Sequence, residues 1–293
     1  MTSRYQSVLR PQLFNNHTIV VTGGGSGIGR CIAHELASLN ANVLLLGRNK
    51  EKLEHVQDEV IEDGGRCDIF VCDIRDETGV KRQVETMLKK HTRIHGVVNN
   101  AGGQFPSPLE SISKKGWDAV IGTNLTGGFL MAREIFKQSM AEHGGSVVNI
   151  VADMWGGMPG MGHSGAARAG MVNFTQTAAY EWGHAGVRVN AVAPGWIASS
   201  GMDTYPDEFK KVLLTLPSAV PLGRLGNEAE ISSAVCFLLS DAANFISGTT
   251  IRIDGAASQG NTAIYPLAKA KNSVPFDGFH REVPSKLFQN KKG

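Results

Sequence analysis

Three polar residues stand close together in a segment otherwise rich in Gly, Ala and Met, namely His163, Ser164 and Arg168. An imidazole titrates near neutral pH, so His163 is a candidate proton donor. A serine hydroxyl is a poor acid without a neighbouring base, and an arginine stays charged and binds hydroxyl groups without exchanging protons. A structural role is the alternative, with Ser164 as the N-cap of a helix and His163 in the turn before it. That role does not exclude a contact with substrate, so all three are candidate site residues.

A fourth candidate, Tyr205, lies in a stretch that interrupts the otherwise regular alternation of apolar and amphipathic segments. The stretch covers residues 196–221 and contains Ser199-Ser200-Gly201 and Tyr205-Pro206. Long irregular segments often cover active sites, so we expect 196–221 to be a mobile lid over the substrate. Tyr205 is then a second candidate proton donor, and simple packing within the lid is the alternative.

Short apolar runs alternate with helix-length amphipathic stretches, which is typical of right-handed βαβ units. Strands are predicted at residues 18–21, 42–46, 67–71, 95–99, 146–150, 187–192 and 250–253. Helices are predicted near 28–38, 50–62, 77–90, 114–124, 127–142, 166–184 and 228–240. Asn124 then lies between two helices. Fully apolar strands are expected when helices cover both faces of a parallel sheet, so we predict an α/β fold with a doubly wound, seven-stranded parallel sheet.

The composition fits one globular domain over residues 1–293, with a core at about 15–257. Hydrophobic residues make up 42% of the chain, enough for a full-sized core. The 29 basic and 27 acidic side chains nearly balance, which argues against nucleic acid or an anionic membrane as the main partner. The extension at 258–293 is rich in Lys, Asn and Pro. We expect it to be partly disordered or to wrap a neighbouring subunit.

The sequence has neither the apolar core of a secretory signal nor a run long enough to span a bilayer. The four cysteines form no C-x-x-C pair and lie in or near apolar runs, which indicates buried thiols in a reducing compartment. Ser285-Lys286-Leu287 spells a peroxisomal address, but that address is read only at the end of a chain, and Phe288 follows it. We therefore expect a cytoplasmic protein.

A glycine-rich turn between the first strand and the first helix has the residue types of a nucleotide-binding loop. Glycines let the backbone approach a pyrophosphate closely, and the start of a helix offers unpaired N–H groups to it. Such a turn is weak evidence alone, and its position between a strand and a helix strengthens it. The predicted contacts within residues 22–29 are Gly23, Ser26, Gly27, Ile28 and Gly29.

The ends of the next strands indicate which nucleotide binds. The second strand ends without the acidic residue that would hold the 2′-hydroxyl of NAD, and Arg48 can instead pair with a 2′-phosphate. A solvated surface arginine is the alternative. Further predicted contacts follow the third and fourth strands: Asp73, Ile74, Asn100, Ala101 and Gly102. The sequence therefore predicts NADP(H) rather than NAD(H), bound where the strand order 3-2-1-4-5-6-7 reverses.

Together these motifs resemble the short-chain dehydrogenase/reductase superfamily. The resemblance rests on TGGGSGIG at residues 22–29, NNAG at 99–102, Asn124, and Pro194-Gly195 after the sixth strand. It covers about residues 15–257 and implies a Rossmann-type domain that forms a homodimer or homotetramer. It also implies that Pro194, Gly195 and Ile197 line the nicotinamide.

The catalytic region departs from the pattern of that superfamily, whose members use a Ser, a Tyr, a Lys and an Asn. By the resemblance, Asn124 matches the Asn of a proton relay. Ala152, with Val151 as the alternative, stands in place of the Ser, Ser164 in place of the Tyr, and Arg168 in place of the Lys. Arg168 can still bind the nicotinamide ribose, but no obvious general acid for a carbonyl is left. The two proton donors suggested above are the remaining candidates.

Within the superfamily, residues 100–105 and 163–170 resemble trans-2-enoyl-CoA reductases of the peroxisomal type and, more loosely, 2,4-dienoyl-CoA reductases. In such reductions hydride goes to a carbon, and hydrogen-bond donors stabilise the charge on the thioester oxygen. This chemistry relies less on a tuned tyrosine. The resemblance therefore implies an NADPH-dependent reductase of an enoyl-CoA or similar thioester in fatty acid metabolism.

Two other functions stay open. One is an NAD(P)-dependent dehydrogenase of a hydrophobic alcohol, aldehyde or hydroxyacyl substrate, with His163 or Tyr205 as base. The other is a pseudoenzyme that binds the nucleotide as a sensor or scaffold. Large apolar residues favour a fatty or terpenoid chain if they surround the pocket rather than pack in the core, namely Phe105, Met154, Trp155, Met158, Met161, Trp196 and Met202.

Overall fold

A parallel sheet runs through the molecule, and the computed structural model describes residues 4–260 and 264–289. The strands of these residues are β1 Thr18–Thr22, β2 Asn42–Gly47, β3 Arg66–Val71, β4 Gly96–Asn99, β5 Gly145–Ile150, β6 Val187–Pro194 and β7 Thr250–Ile253. They form one seven-stranded sheet in the order β3-β2-β1-β4-β5-β6-β7. The predicted doubly wound α/β fold is therefore confirmed. The order reverses between β1 and β4, so a crevice opens there at the carboxyl ends of the strands.

Helices connect the strands. Those of the described residues are α1 Gly27–Ser38, α2 Lys50–Glu62, α3 Glu77–His91, α4 Lys114–Ile121, α5 Gly128–Ile135, α6 Ala141–His143, α7 Gly162–Trp182, α8 Asp207–Leu213, α9 Glu228–Leu239 and α10 Lys286–Gln289. Asn227 and Glu230 form a reciprocal capping box at the start of α9, which fixes where that helix begins. In the two described ranges, no helix is both long and apolar enough to cross a membrane.

The core has two layers because successive side chains of a strand point to opposite faces of the sheet. Val20 and Leu44 face one way and pack with residues of α3, α5 and α7. Val21 and Leu45 face the other way and pack with residues of α1, α2 and α9. The two pairs are also neighbours across the β1–β2 ladder. Both faces of the sheet are thus covered by helices, as the apolar strands predict.

The helices predicted on either side of Asn124 form one continuous helical stretch from Lys114 to His143. Two wider π-helical turns, Gly122–Gly127 and Phe136–Met140, interrupt its regular α-helical pitch. Asn124 therefore lies between α4 and α5, as predicted, but in a π-helical turn and not in a break of the helical stretch. The π turns keep the chain helical through the glycines at 122, 127 and 128, where sequence propensity favours a break.

The cysteines are free thiols, as predicted. Cys31, Cys72 and Cys236 are buried, and Cys67 is half-buried. Burial raises the pKa of the Cys67 thiol to about 12, so it stays protonated at neutral pH.

The C-terminal extension, as far as residues 264–289 describe it, packs against its own chain. Phe279 is buried with Tyr5, Cys31 and Ala229. Arg281 forms an ion pair with Asp63 at the end of α2, with nitrogen and oxygen 2.8 Å apart. Contact of the extension with a neighbouring subunit, and the homo-oligomer itself, stay predictions. Residues 261–263 and 290–293 lie outside the described residues.

Candidate active site

The carboxyl ends of the strands open into a cleft made of two adjoining cavities. The first, of about 660 Å³, is lined mainly by the loops that follow β1, β2 and β3. The second, of about 690 Å³, is lined by the loops after β4, β5 and β6 and by the 196–221 segment. Ile28, Asn100, Gly102 and Ser199 line both cavities. The cleft therefore suits an extended ligand that continues from one cavity into the next.

Most of the residues predicted to bind cofactor line this cleft. The first cavity contains Gly23, Ser26, Ile28, Arg48, Asp73, Ile74, Asn100, Ala101 and Gly102. The second contains Arg168, Pro194, Gly195, Ile197 and Tyr205. Of the described residues predicted for the site, the others are absent from both linings: Gly27, Gly29, Asn124, His163 and Ser164.

The glycine-rich turn forms a cradle that side chains would fill. Gly23 has a φ of +66°, and a Cβ there would lie 2.8 Å from the Cα of Ala101. A Cβ at Gly29 would lie 2.5 Å from the carbonyl oxygen of Gly23. Asn100 holds the turn from the other side, since its Nδ2 donates to the carbonyl oxygens of Thr22 and Gly23. Glycine is therefore required at both positions for the backbone to lie this close.

The start of α1 offers free donors to an anion. Ser26 is the N-cap residue, with extended backbone angles, but its side chain caps none of the first backbone N–H groups of the helix. These N–H groups carry the positive end of the helix dipole. Since Ser26 lines the first cavity, the cradle and the helix start fit the pyrophosphate of a dinucleotide.

Arg48 lines the first cavity, and Arg75 bonds to Asp73, another residue of that lining. Arg75 donates three side-chain hydrogen bonds to the carboxylate of Asp73, and these lower the pKa of Asp73 to about 2. Arg48 is exposed and, within the described ranges, makes neither a hydrogen bond nor an ion pair with protein. Its guanidinium is therefore free to bind an anionic group in the cavity.

Both polar atoms of the Asn124 side chain form hydrogen bonds with the backbone of the loop after β4. Its Oδ1 accepts a hydrogen bond from the N–H of Gly103 at 2.8 Å, and its Nδ2 donates to the carbonyl oxygen of Gly103 at 2.9 Å. The side chain is buried, with 3% exposure. In this geometry Asn124 shapes the loop that separates the two cavities.

Arg168 projects from α7 towards the same loop. Its Nη1 donates to the carbonyl oxygen of Ile150 at 2.6 Å, while its buried Nε has no partner among the described residues. A Cβ at Gly102 would lie 2.6 Å from Nη2 of Arg168. Burial lowers the pKa of Arg168 to about 10, which leaves the guanidinium charged at neutral pH. The unpaired Nε fits a ligand that brings its own acceptor, such as a ribose hydroxyl.

Ser164 lies in the first turn of α7, and Met161 is the N-cap residue of that helix. The N-cap role suggested for Ser164 is therefore wrong, because the helix begins two residues earlier. The side chain is fully buried, and its Oγ donates to Oε1 of Gln104 at 2.7 Å. Nε2 of Gln104 in turn donates to the hydroxyl oxygen of Tyr205 at 3.1 Å.

His163 is also fully buried. Its Nδ1 accepts a hydrogen bond from the backbone N–H of Ser164, and its buried Nε2 has no partner among the described residues. The ring meets Phe105 edge-on, with centroids 4.4 Å apart. Phe105 lines the second cavity and His163 does not. Phe105 therefore separates the imidazole of His163 from a ligand in that cavity.

The second cavity combines these polar groups with apolar surface. Phe105, Trp196 and Met202 line it, as the sequence suggests. The other large apolar candidates, Met154, Trp155, Met158 and Met161, are not among its described lining residues. Trp155 instead stacks under the guanidinium of Arg252, 3.8 Å from its ring centre.

Two groups of functional interest are absent from the predicted site residues, although Asn99 of the second belongs to the NNAG motif. Gln104 is a single polar residue in a loop, and only its position after β4 places it at the cleft. The second group is a buried network beneath the site, in which Asn99 donates to Asn149 and Asn149 donates to Thr175. A signal for this network is an asparagine near the end of each of two adjacent strands that are otherwise apolar residues and glycine or serine: Asn99 ends β4, and Asn149 is the last residue but one of β5.

This fold and cofactor cleft define the class of protein. Residues 23–258 match the family described as enoyl-(acyl carrier protein) reductase. The chain belongs to the short-chain dehydrogenase/reductase superfamily and is an NAD(P)-dependent oxidoreductase.

Named relatives differ in their reactions. The chain is 36% identical over 240 residues to a probable 2,4-dienoyl-CoA reductase of Bacillus subtilis (strain 168), covering 81% of this chain and 94% of that protein. It is 34% identical over 238 residues to the 3-oxoacyl-[acyl-carrier-protein] reductase FabG of Thermotoga maritima, covering 80% of this chain and 95% of that one. Among solved structures, the citronellol catabolism dehydrogenase AtuB of Pseudomonas aeruginosa PAO1 is 61% identical. That comparison covers 87% of this chain and 100% of AtuB, with a TM-score of 0.79.

Proposed function

We propose that this protein uses NADP(H) to reduce a carbon–carbon double bond conjugated to a thioester or similar carbonyl group on a hydrophobic chain. The observation that carries the proposal is the environment of Ser164 and Arg168, which stand where the superfamily pattern has Tyr and Lys. Ser164 is fully buried and bonded to Gln104, and Arg168 keeps its charge at neutral pH. Neither residue can therefore donate a proton to a substrate oxygen and take it back. Reduction of a conjugated double bond depends less on such a residue than reduction of a carbonyl group does, because the hydride goes to carbon.

The residues of the first cavity hold the nucleotide in this proposal. The cradle at Gly23 and the start of α1 bind the pyrophosphate, and the unpaired Arg48 binds the 2′-phosphate of NADP(H). The free Nε of Arg168 binds a ribose hydroxyl. When bound, the nicotinamide exchanges hydride with the substrate.

The substrate class follows from the second cavity. Phe105, Trp196 and Met202 give it apolar surface of the kind that binds a hydrocarbon chain. The 61% identity to AtuB supports a branched chain of the citronellol type. The name of AtuB describes a dehydrogenase of citronellol catabolism, but it does not say which bond of the substrate is oxidised. The name of the Bacillus relative supports a conjugated thioester.

Oxidation of a hydrophobic alcohol such as citronellol is the second candidate. It is favoured by one observation, the presence of Tyr205 in the lining of the second cavity. A phenol at that position is a group that can exchange a proton with an alcohol oxygen.

The test is a spectrophotometric assay of the purified chain. Oxidation of NADPH is followed with straight and branched trans-2-enoyl-CoA and 2,4-dienoyl-CoA thioesters, with NADH in parallel, and reduction of NADP with citronellol is measured in the reverse direction. Turnover of a conjugated thioester supports the proposal, and turnover of alcohols alone overturns it in favour of the second candidate. Nucleotide binding without turnover on any of these substrates overturns both.

A further inference from the structure

Three side chains from distant parts of the sequence form a hydrogen-bonded chain that ends in the second cavity. Ser164 Oγ lies 2.7 Å from Oε1 of Gln104, and Nε2 of Gln104 lies 3.1 Å from the hydroxyl oxygen of Tyr205. Ser164 belongs to α7, Gln104 to the loop after β4, and Tyr205 to the 196–221 segment. Gln104 and Tyr205 line the cavity, whereas Ser164 lies outside it.

Burial determines which group donates and which accepts in each of these hydrogen bonds. Ser164 has no exposed surface, and Gln104 is the one hydrogen-bond partner of its hydroxyl in the described part of the protein. The serine hydrogen therefore goes to Oε1 of Gln104. Turning the amide over would present its NH₂ group to Ser164 and leave the buried serine hydrogen without an acceptor, which is costly.

The direction leaves one hydrogen free at the cavity. Because Nε2 of Gln104 is a donor only, the hydroxyl oxygen of Tyr205 must accept from it. The tyrosine's own hydrogen is then not used by Gln104. Tyr205 lies in the lining of the cavity that also contains Arg168, Phe105 and Met202, so this hydrogen is available to a ligand there.

We propose that Tyr205 donates this hydrogen as a hydrogen bond to the carbonyl oxygen of the substrate. Gln104, oriented by Ser164, is then the positioning residue that keeps the hydrogen free. The inference rests on the proposed reduction of a conjugated carbonyl compound, for which it names the missing donor.

A hydrogen-bond donor at this oxygen matters because negative charge develops there during the step. With the cofactor bound, hydride would leave its C–H bond in the reduced nicotinamide and form a bond to the β-carbon. The Cα–Cβ π pair would become a π bond between the α-carbon and the carbonyl carbon, and the C=O π pair would move onto the carbonyl oxygen. Tyr205 stabilises that charge and keeps its own proton. The α-carbon then takes one proton from water, and the substrate has gained two electrons and two hydrogens.

The first experiment measures the hydrogen bond without turnover. An arylacryloyl-CoA thioester is bound to the protein in the absence of NADPH, and the red shift of its absorption band reports polarisation of its carbonyl group. We expect Tyr205→Phe to bind the thioester but to lose most of the red shift. With NADPH present, its turnover should fall by about 10²- to 10³-fold, the usual cost of one donor to an oxyanion. Tyr180→Phe, at a 91% exposed position on α7, is the matched control and should change neither quantity.

The second experiment reverses the role of Gln104 while keeping its shape. In Gln104→Glu, a carboxylate accepts from both neighbours and captures the hydrogen of Tyr205, so the red shift and turnover fall at neutral pH. As the pH is lowered, the protonated acid donates to Tyr205 again, and both quantities recover. A packing role would give no such pH profile. Gln176→Glu, an exposed position on α7, controls for the added charge.

The outcomes separate the two proposals. A red shift that survives in Tyr205→Phe overturns the donor role, and a Gln104→Glu variant that matches the wild type at all pH values overturns the positioning role. A wild-type red shift that depends on Tyr205, without reduction of any conjugated substrate, supports the hydrogen bond and overturns the proposed function. Absence of both shift and turnover in the wild type overturns both.

Discussion

Asp203, in the 196–221 segment, accepts a hydrogen bond from the hydroxyl of Ser285, with the two oxygen atoms 2.6 Å apart. The same carboxylate oxygen accepts from the backbone N–H of Lys286 at 3.1 Å. Leu287 and Phe288 continue the contact, since they pack against the apolar cluster of Met202, Leu213 and Leu225. Tyr205 packs against the same cluster, so the C-terminal extension supports the segment that carries Tyr205.

Removal of the Asp203 carboxylate should weaken substrate binding selectively. We expect Asp203→Ala to raise KM for the substrate by about 3- to 10-fold, which corresponds to the loss of about 1 kcal/mol from a half-buried charge-assisted contact. The affinity for NADPH should stay unchanged, because the first cavity lies elsewhere. Asp207→Ala removes an exposed surface partner of Lys210 and is the matched control. An equal loss of nucleotide affinity in Asp203→Ala would contradict the expectation.

Arg48 should decide the choice between the two nicotinamide cofactors. Since its guanidinium makes no hydrogen bond or ion pair with the described residues, Arg48→Ala should weaken NADPH binding by about 10- to 100-fold and leave NADH binding nearly unchanged. Fluorescence titration with both nucleotides measures this ratio. Lys50→Ala removes a nearby exposed charge that pairs with Glu54, and it should affect both nucleotides little. If Arg48→Ala weakened the binding of NADPH and NADH equally, this side chain would not be the group that recognises the 2′-phosphate.

Gly23→Ala should damage both stability and nucleotide binding. The positive φ alone costs about 1–3 kcal/mol for a residue with a Cβ, and the new methyl group also meets Ala101. Urea unfolding and NADPH titration measure the two effects. Gly183→Ala is the control, because that glycine has a φ of −56° and no atom within 4 Å of an added Cβ. A Gly23→Ala variant with wild-type affinity for NADPH would refute the role of the cradle.

Glu228 should make stability depend on pH in a direction unusual for a carboxylate. Burial raises its pKa from 4.5 to about 7, with Arg30 acting in the opposite sense. Between these values the unfolded chain has lost the proton and the folded chain still holds it. Stability therefore falls as the pH rises from 4.5 to 7 and stays reduced above that range. Glu228→Gln should be more stable than the wild type at pH 8, by up to about 3 kcal/mol, and the gain should vanish near pH 4.

Glu230 provides a control of opposite sign for that measurement. Burial opposes its ionisation, but hydrogen bonds from Arg224 outweigh burial and lower its pKa. Glu230→Gln should therefore destabilise the protein at neutral pH, and this loss should shrink as the pH falls through the folded-state pKa. Urea unfolding of both variants at several pH values checks the pair. Parallel pH profiles for the two variants would refute the assignment.

The sheet could be predicted from the sequence because its signals are local. In Thr18–Val21 and Asn42–Leu46, apolar residues fill both faces of the strand, which happens only when helices cover both sides. The glycine-rich turn was likewise predictable, since a positive φ at Gly23 and the close approach at Gly29 leave little choice of residue. Local steric rules thus specify the first cavity almost completely.

The second cavity could not be predicted in the same way because distant contacts build it. Gln104 meets partners 60 and 101 residues away, and no local pattern marks a single amide in a loop. The N-cap role of Ser164 failed for a related reason. Its hydroxyl finds a partner on another loop, and α7 begins earlier, at Gly162. Propensity at a helix start is a weak preference that one buried hydrogen bond overrides.

The burial of Ser164 limits what a larger side chain at this position could do. Ser164 has no exposed surface and its hydroxyl lies 2.7 Å from Gln104, so a tyrosine at position 164 would displace Gln104. Displacing Gln104 would in turn release the hydroxyl of Tyr205 from its hydrogen bond. A new phenol introduced at position 164 should therefore disturb the phenol that already lines the cavity. A Ser164→Tyr variant with wild-type stability and new alcohol-oxidising activity would argue against this.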